Sequence, residues 1–140
     1  ETETRPALLG SLTLRLPTGD EARGLGAENV DVGLLAVISK AFGPVTLTGN
    51  WGYTFVTRES ELDFWSLNGS IEYRVTKAWS LVGEVVSRLG TGRADDTIVL
   101  RAGSVYAITD RVKLDGALGF GLNRGSPELL ATVGVTIGLF

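Results

Sequence analysis

Side chains in this sequence alternate in character with a period of two, and that alternation decides what the chain can fold into. A period of two puts successive side chains on opposite faces of a strand, whereas a helix needs a period of 3.6. In Val45 to Phe55, one face carries Val45, Leu47, Gly49, Trp51, Tyr53 and Phe55, and the other Thr46, Thr48, Asn50, Gly52 and Thr54. Val112 to Asn123 repeats the pattern. Val112, Leu114, Gly116, Leu118, Phe120 and Leu122 oppose Lys113, Asp115, Ala117, Gly119, Gly121 and Asn123. The last segment sets Leu129, Ala131, Val133, Val135, Ile137 and Leu139 against Thr132, Gly134, Thr136 and Gly138.

Eight such segments are expected, at 7–16, 29–39, 45–55, 62–75, 79–88, 97–108, 112–123 and 128–140. No helical stretch competes. The connections alternate in length: 17–28 and 89–96 are long, 56–61 is medium, and 40–44, 76–78 and 109–111 are short. Only the compact loop at Arg124–Pro127, on the long-loop side, breaks the trend. Long loops at one end and tight turns at the other are the layout of an outer-membrane barrel. The expected fold is all-β, an antiparallel up-and-down transmembrane barrel with about eight strands, spanning 1–140 as one domain.

Apolar residues make up 44% of the 140, yet no run of about 18 could cross a bilayer as a helix. The other way to cross is a closed barrel, because open sheet edges find no hydrogen-bond partners in lipid. The opposite arrangement is a soluble, lipocalin-like barrel whose apolar face points inward around a ligand. Charges and aromatics separate the two. The polar face carries Arg15, Asp31, Glu72, Arg74, Glu84, Arg88, Arg101, Lys113 and Asp115, of both signs and interleaved with Gly, Ser and Thr. A solvated outer face would hold more Lys and Glu and less Gly, so these are candidate lumen charges. On the apolar face Trp51, Tyr53, Phe55, Trp65 and Phe120 lie toward the long-loop end. Tyr73, Trp79 and Tyr106 lie toward the short turns. Two aromatic bands separated by aliphatics are a candidate girdle for two bilayer interfaces.

Each short turn is followed by one spacing: Val45-x-Leu47-x-Gly49, Trp79-x-Leu81-x-Gly83, Val112-x-Leu114-x-Gly116. Before two of the turns, Tyr73-x-Val75-Thr76 matches Tyr106-x-Ile108-Thr109. The unit is one strand pair with its loop, repeated about every 33 residues. Pro6-x-Leu8-x-Gly10 fits the same frame, which places Glu1–Pro6 where another short turn would stand and hints at a longer barrel upstream. Symmetric pairing about the long loops sets Glu84 opposite Arg101 and Arg15 near Asp31, pairs that would neutralise charge in a low-dielectric lumen.

Composition removes most catalytic chemistry. With neither His nor Cys there is no Ser-His-Asp or Cys-His arrangement, no thiolate metal site and no disulfide. A Ser-Lys pair has no obvious serine beside Lys40, Lys77 or Lys113. Glu59, Glu61 and Asp63, and likewise Asp95 and Asp96, could meet a divalent cation but read more simply as solvated loop charges. Net charge is −3 with no basic run, which argues against nucleic acid. The chain is therefore expected to be no enzyme and to hold no cofactor or metal.

Leu16-Pro17-Thr18-Gly19-Asp20 is followed by Ser39-Lys40, Phe42-Gly43-Pro44 and Asn50-Trp51-Gly52-Tyr53. Val82-Gly83-Glu84-Val85 comes next, then Gly119-Phe120-Gly121-Leu122 with Ser126-Pro127. In this order they resemble a bacterial outer-membrane barrel family labelled with the MetA-pathway of phenol degradation and often called a transporter. The resemblance spans nearly the whole chain and implies a passive outer-membrane barrel, some members being associated with aromatic-compound catabolism. Members are usually longer, so the resemblance casts this chain as the C-terminal part. Such proteins tend to end in an aromatic; Phe140 fits by identity but falls in phase with the polar face.

Three functions follow as expectations. The first is permeation of small apolar or aromatic molecules across a bacterial outer membrane, these strands belonging to a wider pore. The second is a structural or self-assembling barrel whose edge strands pair with other copies, which would also suit an extracellular assembly. The third is a soluble lipocalin-like binder. The expected partners are membrane lipid, other copies of the chain and an unidentified small apolar ligand.

Overall fold

The computed structural model describes residues 5–18, 30–57, 60–92 and 95–138. It forms one antiparallel sheet of eight strands, each hydrogen-bonded to the next in chain order. They are β1 (Ala7–Arg15), β2 (Asp31–Phe42), β3 (Val45–Val56), β4 (Phe64–Arg74), β5 (Trp79–Gly90), β6 (Thr97–Ala107), β7 (Val112–Gly121) and β8 (Leu129–Ile137). A 3-10 turn at Ser60–Leu62 interrupts the connection before β4. Among the described residues β1 pairs only with β2 and β8 only with β7, so the sheet is an open meander with two edges. Phe140 and most of the 17–28 loop lie outside the described residues.

The short turns carry the repeat in their hydrogen bonds. Val75 and Thr76 both donate their N–H to Trp79 O (2.9 and 3.1 Å), and Ile108 and Thr109 donate likewise to Val112 O (2.9 and 3.2 Å). The Thr76 hydroxyl accepts from the Ala78 N–H and the Thr109 hydroxyl from the Arg111 N–H, both at 3.2 Å. The hairpin between β2 and β3 is tighter. Gly43, at φ +61°, turns the chain with Pro44 so that Phe42 and Val45 face each other. Glycine at the first central position suits a two-residue turn whose twist matches the strands. β2 thus runs to Phe42 rather than ending at residue 39. Lys40 is the cause of the shorter expectation. It sits on the apolar face opposite Leu47 and breaks the alternation.

The register is staggered. One row of facing residues runs Ala7, Ser39, Thr48, Ser70, Glu84, Arg101, Gly119, Leu130. It begins at the short-turn end of β1 and finishes one residue from the long-loop end of β8. The row therefore climbs about one residue per strand. With a rise of about 3.3 Å per residue and strands about 4.8 Å apart, the strands tilt by about 35° from the sheet's long axis. That is the tilt of a barrel wall.

Exposure is lopsided between the faces. Ile38, Leu47, Ile71, Leu81, Leu100 and Leu118 are exposed, whereas Ser39, Thr48, Ser70, Val82 and Arg101 on the opposite face are half-buried. A flat sheet would expose both sides alike, so this sheet curls toward the small-residue face. No hydrophobic side chain among the described residues is buried, and the large exposed residues stand on the apolar face, Leu9 excepted. Apolar area of this extent exceeds what a monomer leaves in water.

Candidate functional site

All nine candidate charges stand on the concave face, because each faces, across the ladders, residues of that same side. Two pairs meet as the hairpin symmetry requires. Arg15 donates from Nη1 to Asp31 Oδ2 at 3.1 Å, and the two are direct register partners. Arg101 Nε lies 2.9 Å from Glu84 Oε1, also in direct register. The N–H is off-line, so this is an ion pair rather than a formed hydrogen bond. Asp31 is nearly buried while Arg15 reaches out at the rim. Arg88 joins no ion pair among the described residues; its guanidinium stacks over the Phe64 ring, 4.0 Å from the centroid. Glu72 and Arg74 lie two apart on β4, as do Lys113 and Asp115 on β7, so each couple shares the concave face.

Hydroxyls and amides fill the space between the charges. Ser39 Oγ and Thr48 Oγ1 are 2.9 Å apart, in the same row as Ser70, Glu84 and Arg101. Asn50 faces Asn68 across the β3–β4 ladder. Asn68 Oδ1 accepts the Ser87 N–H at 2.9 Å, and the Ser87 hydroxyl donates to Leu67 O, where the regular ladder is interrupted. Ser87 has the phase of the apolar face, and this bond leaves its hydroxyl satisfied there. Phe64 and the asparagine pair were not foreseen. Phe64 has the phase of the polar face, and only its stacking on Arg88 explains it.

On the convex face four aromatics gather toward the long-loop end. Trp51 stacks on Trp65 at 5.6 Å between centroids, and Tyr53 meets Phe55 and Trp65 edge-on at 4.5 and 4.4 Å. Phe55, Trp65 and Phe120 each stand one residue from a long-loop strand end; Tyr53 and Trp51 lie deeper, three and five residues below Val56. At the other end Tyr73, Trp79 and Tyr106 stand at or beside the short turns, and the Trp79 Nε1–H donates to Ser104 Oγ at 2.7 Å. Phe42 belongs to this lower band, 58% exposed beside Val45 and Tyr73. The alternation in the sequence does not reveal it, because Lys40 interrupts the apolar face two residues before Phe42.

Two of the acidic loop residues, Asp63 and Asp96, are structural. Asp63 is buried; its Oδ2 accepts from the Tyr53 hydroxyl at 2.8 Å and its Oδ1 from the Val56 N–H at 2.7 Å. Its carbonyl takes both the N–H and the hydroxyl of Thr91, at 2.9 and 3.1 Å, which ties the loop before β4 to the loop after β5. Asp96 Oδ1 accepts the Gly90 N–H at 2.8 Å, and Asn123 Nδ2 donates to Asp96 O at 2.7 Å. The compact last loop thereby leans on its neighbour. Glu59 lies outside the described residues. Among the described residues no three acidic side chains converge as a cation site would need.

The geometry is that of a wall: polar and charged inside, apolar outside, without a catalytic constellation among the described residues. The family described as "Putative MetA-pathway of phenol degradation" matches residues 2–138. The chain belongs to this family. The match covers all eight strands. No curated protein matches the chain.

Proposed function

We propose that the chain is a lipid-facing wall of a bacterial outer-membrane β-barrel that lets small apolar or aromatic molecules pass, and that it performs no chemistry of its own. The observation that carries this reading is the curl of the sheet toward its polar face. Curvature of that sense turns Leu47, Ile71, Leu100 and Leu118 outward, where lipid would cover them, and turns Glu84 and Arg101 inward. A soluble binder needs the opposite sense, with the apolar face lining its cavity. The aromatic bands support the same placement, because indole and phenol rings favour the headgroup level. Membrane lipid is then the main partner. The aromatic substrate class rests on the family's description alone.

The inward face suits permeation rather than binding. Its charges are mixed, and its hydroxyls and amides could exchange hydrogen bonds with water or a passing solute. Purified protein folded in detergent and added to planar bilayers is expected to give discrete conductance steps. A correctly folded sample that inserts and stays silent would remove the pore and leave an anchoring wall.

A further inference from the structure

We infer that Arg88, held by Phe64, is a recognition site for small monocarboxylates toward the long-loop end of the concave face; this rests on the reading of that face as a pore lining. The charges of the strands lead to it. Of the nine on the concave face, five are cations and four are carboxylates, so the face is positive by one although the chain carries −3. Arg15 is answered by Asp31, and Arg101 by Glu84. Arg74 and Lys113, toward the short turns, share their strands with Glu72 and Asp115. Arg88 is the cation left over.

Its surroundings leave its charge standing. The register partners of Arg88 are Ser66 on β4 and Thr97 on β6. Along β5 the same face carries Val86 on one side of it and Gly90 on the other. Glu84 lies four residues away, about 13 Å at a rise of about 3.3 Å per residue, and is held by Arg101. Asp96 gives its Oδ1 to the Gly90 N–H. Among the described residues, no carboxylate and no carbonyl takes up the Arg88 guanidinium.

Phe64 stands where a counter-ion would. Its ring centre lies 4.0 Å from the Arg88 Cζ, so it fixes the cation through the ring's quadrupole without neutralising it. The N–H donors of a guanidinium lie in its plane, as a rigid fork that fits both oxygens of a carboxylate. An arginine serving only the fold would spend that fork on protein oxygens. Here the hydroxyls of Ser66 and Thr97 flank it as further donors, and Val86 offers an apolar surface to the rest of the solute. One fork takes one carboxylate, which sets the ligand class.

Phenylglyoxal reacts with guanidinium groups, and mass spectrometry of the peptides reads each arginine separately. The protein folded in detergent is labelled with and without excess propionate. Propionate is expected to slow labelling of Arg88 about five-fold, and that of Arg15, already engaged by Asp31, less than about two-fold. Propanol, of the same size without the charge, is expected to slow neither. Equal slowing of Arg88 and Arg15, slowing by propanol, or no slowing of Arg88 would overturn the site; so would an Arg88 that phenylglyoxal cannot reach. Phe64→Leu keeps the charge and is expected to cut the protection of Arg88 by about half; unchanged protection would overturn the role of the ring. Bilayer conductance tests the pore reading separately. Wild-type pores are expected to prefer propionate to potassium, and Arg88→Gln pores to lose that preference. Silence in bilayers with Arg88 still protected would remove the pore and keep the site.

Discussion

At the scale of single residues, charge is placed so that its neighbours answer it. Glu84 and Arg101 face each other halfway up the wall, and Arg15 faces Asp31 at the rim. With both side chains partly open to water, the Glu84–Arg101 pair is worth about 1 kcal/mol at most, so it tunes the concave face more than it holds the fold. Glycine does more for the fold where backbones crowd. A Cβ on Gly125 would overlap Asp96 O, because the last loop lies directly on its neighbour, whereas Gly69 faces open space on the convex side. Gly125→Ala is expected to lose about 1–3 kcal/mol from the overlap. Gly69→Ala is expected to be neutral or to gain up to about 1 kcal/mol. Urea unfolding midpoints in detergent check both. The two ion pairs were legible in the sequence because hairpin symmetry fixes partners once loop centres are known. The Asp63 clamp was not. Nothing in Glu59, Glu61 and Asp63 as a string tells which carboxylate the Tyr53 hydroxyl and the Val56 N–H will claim.

At the scale of strands, the two faces differ in chemistry, and on the proposed wall they would meet different solvents. Ile71 and Ser70 are neighbours on β4, yet one lies on the convex side and the other on the concave. Ile71→Arg is expected to cost about 2–4 kcal/mol in bilayers, the penalty for a charge on the lipid face near mid-depth. Ser70→Arg is expected to be far milder, because its head stays among water, Glu84 and hydroxyls. Folding equilibria in lipid vesicles distinguish the two. The eight strands were readable from period-two patterning alone, since the alternation is a direct image of the two faces. Their ends were less so. Lys40 interrupts β2 on the apolar side, and only the left-handed Gly43 shows that the strand continues to the turn. On the proposed wall, the long aliphatic stem of Lys40 would carry its ammonium away from lipid. At the other end, the last turn of β7 was read two residues too long, because Leu122 and Asn123 keep the alternation while entering the loop that bonds to Ile98.

At the scale of the whole molecule, curvature and stagger belong together. A climb of about one residue per strand gives the tilt of a barrel wall, and the curl assigns the polar face to the inside. Alternation alone names two faces without saying which is concave, and charges and aromatics were needed to point the polar face inward; the stagger is not visible in the sequence, and nothing there counts the strands of a closed barrel. The repeat of hairpin units carries part of that information. Equivalent turns at Thr76 and Thr109 make successive seams alike. All of this depends on the convex face lying in lipid. Single cysteines at 66 through 71, labelled with a fluorophore in vesicles, test that directly. The account predicts that labels at positions 67, 69 and 71 are quenched by nitroxide lipids, and those at 66, 68 and 70 by a water-soluble quencher. Quenching by lipid at 66, 68 and 70, or from water alike at all six, would contradict it.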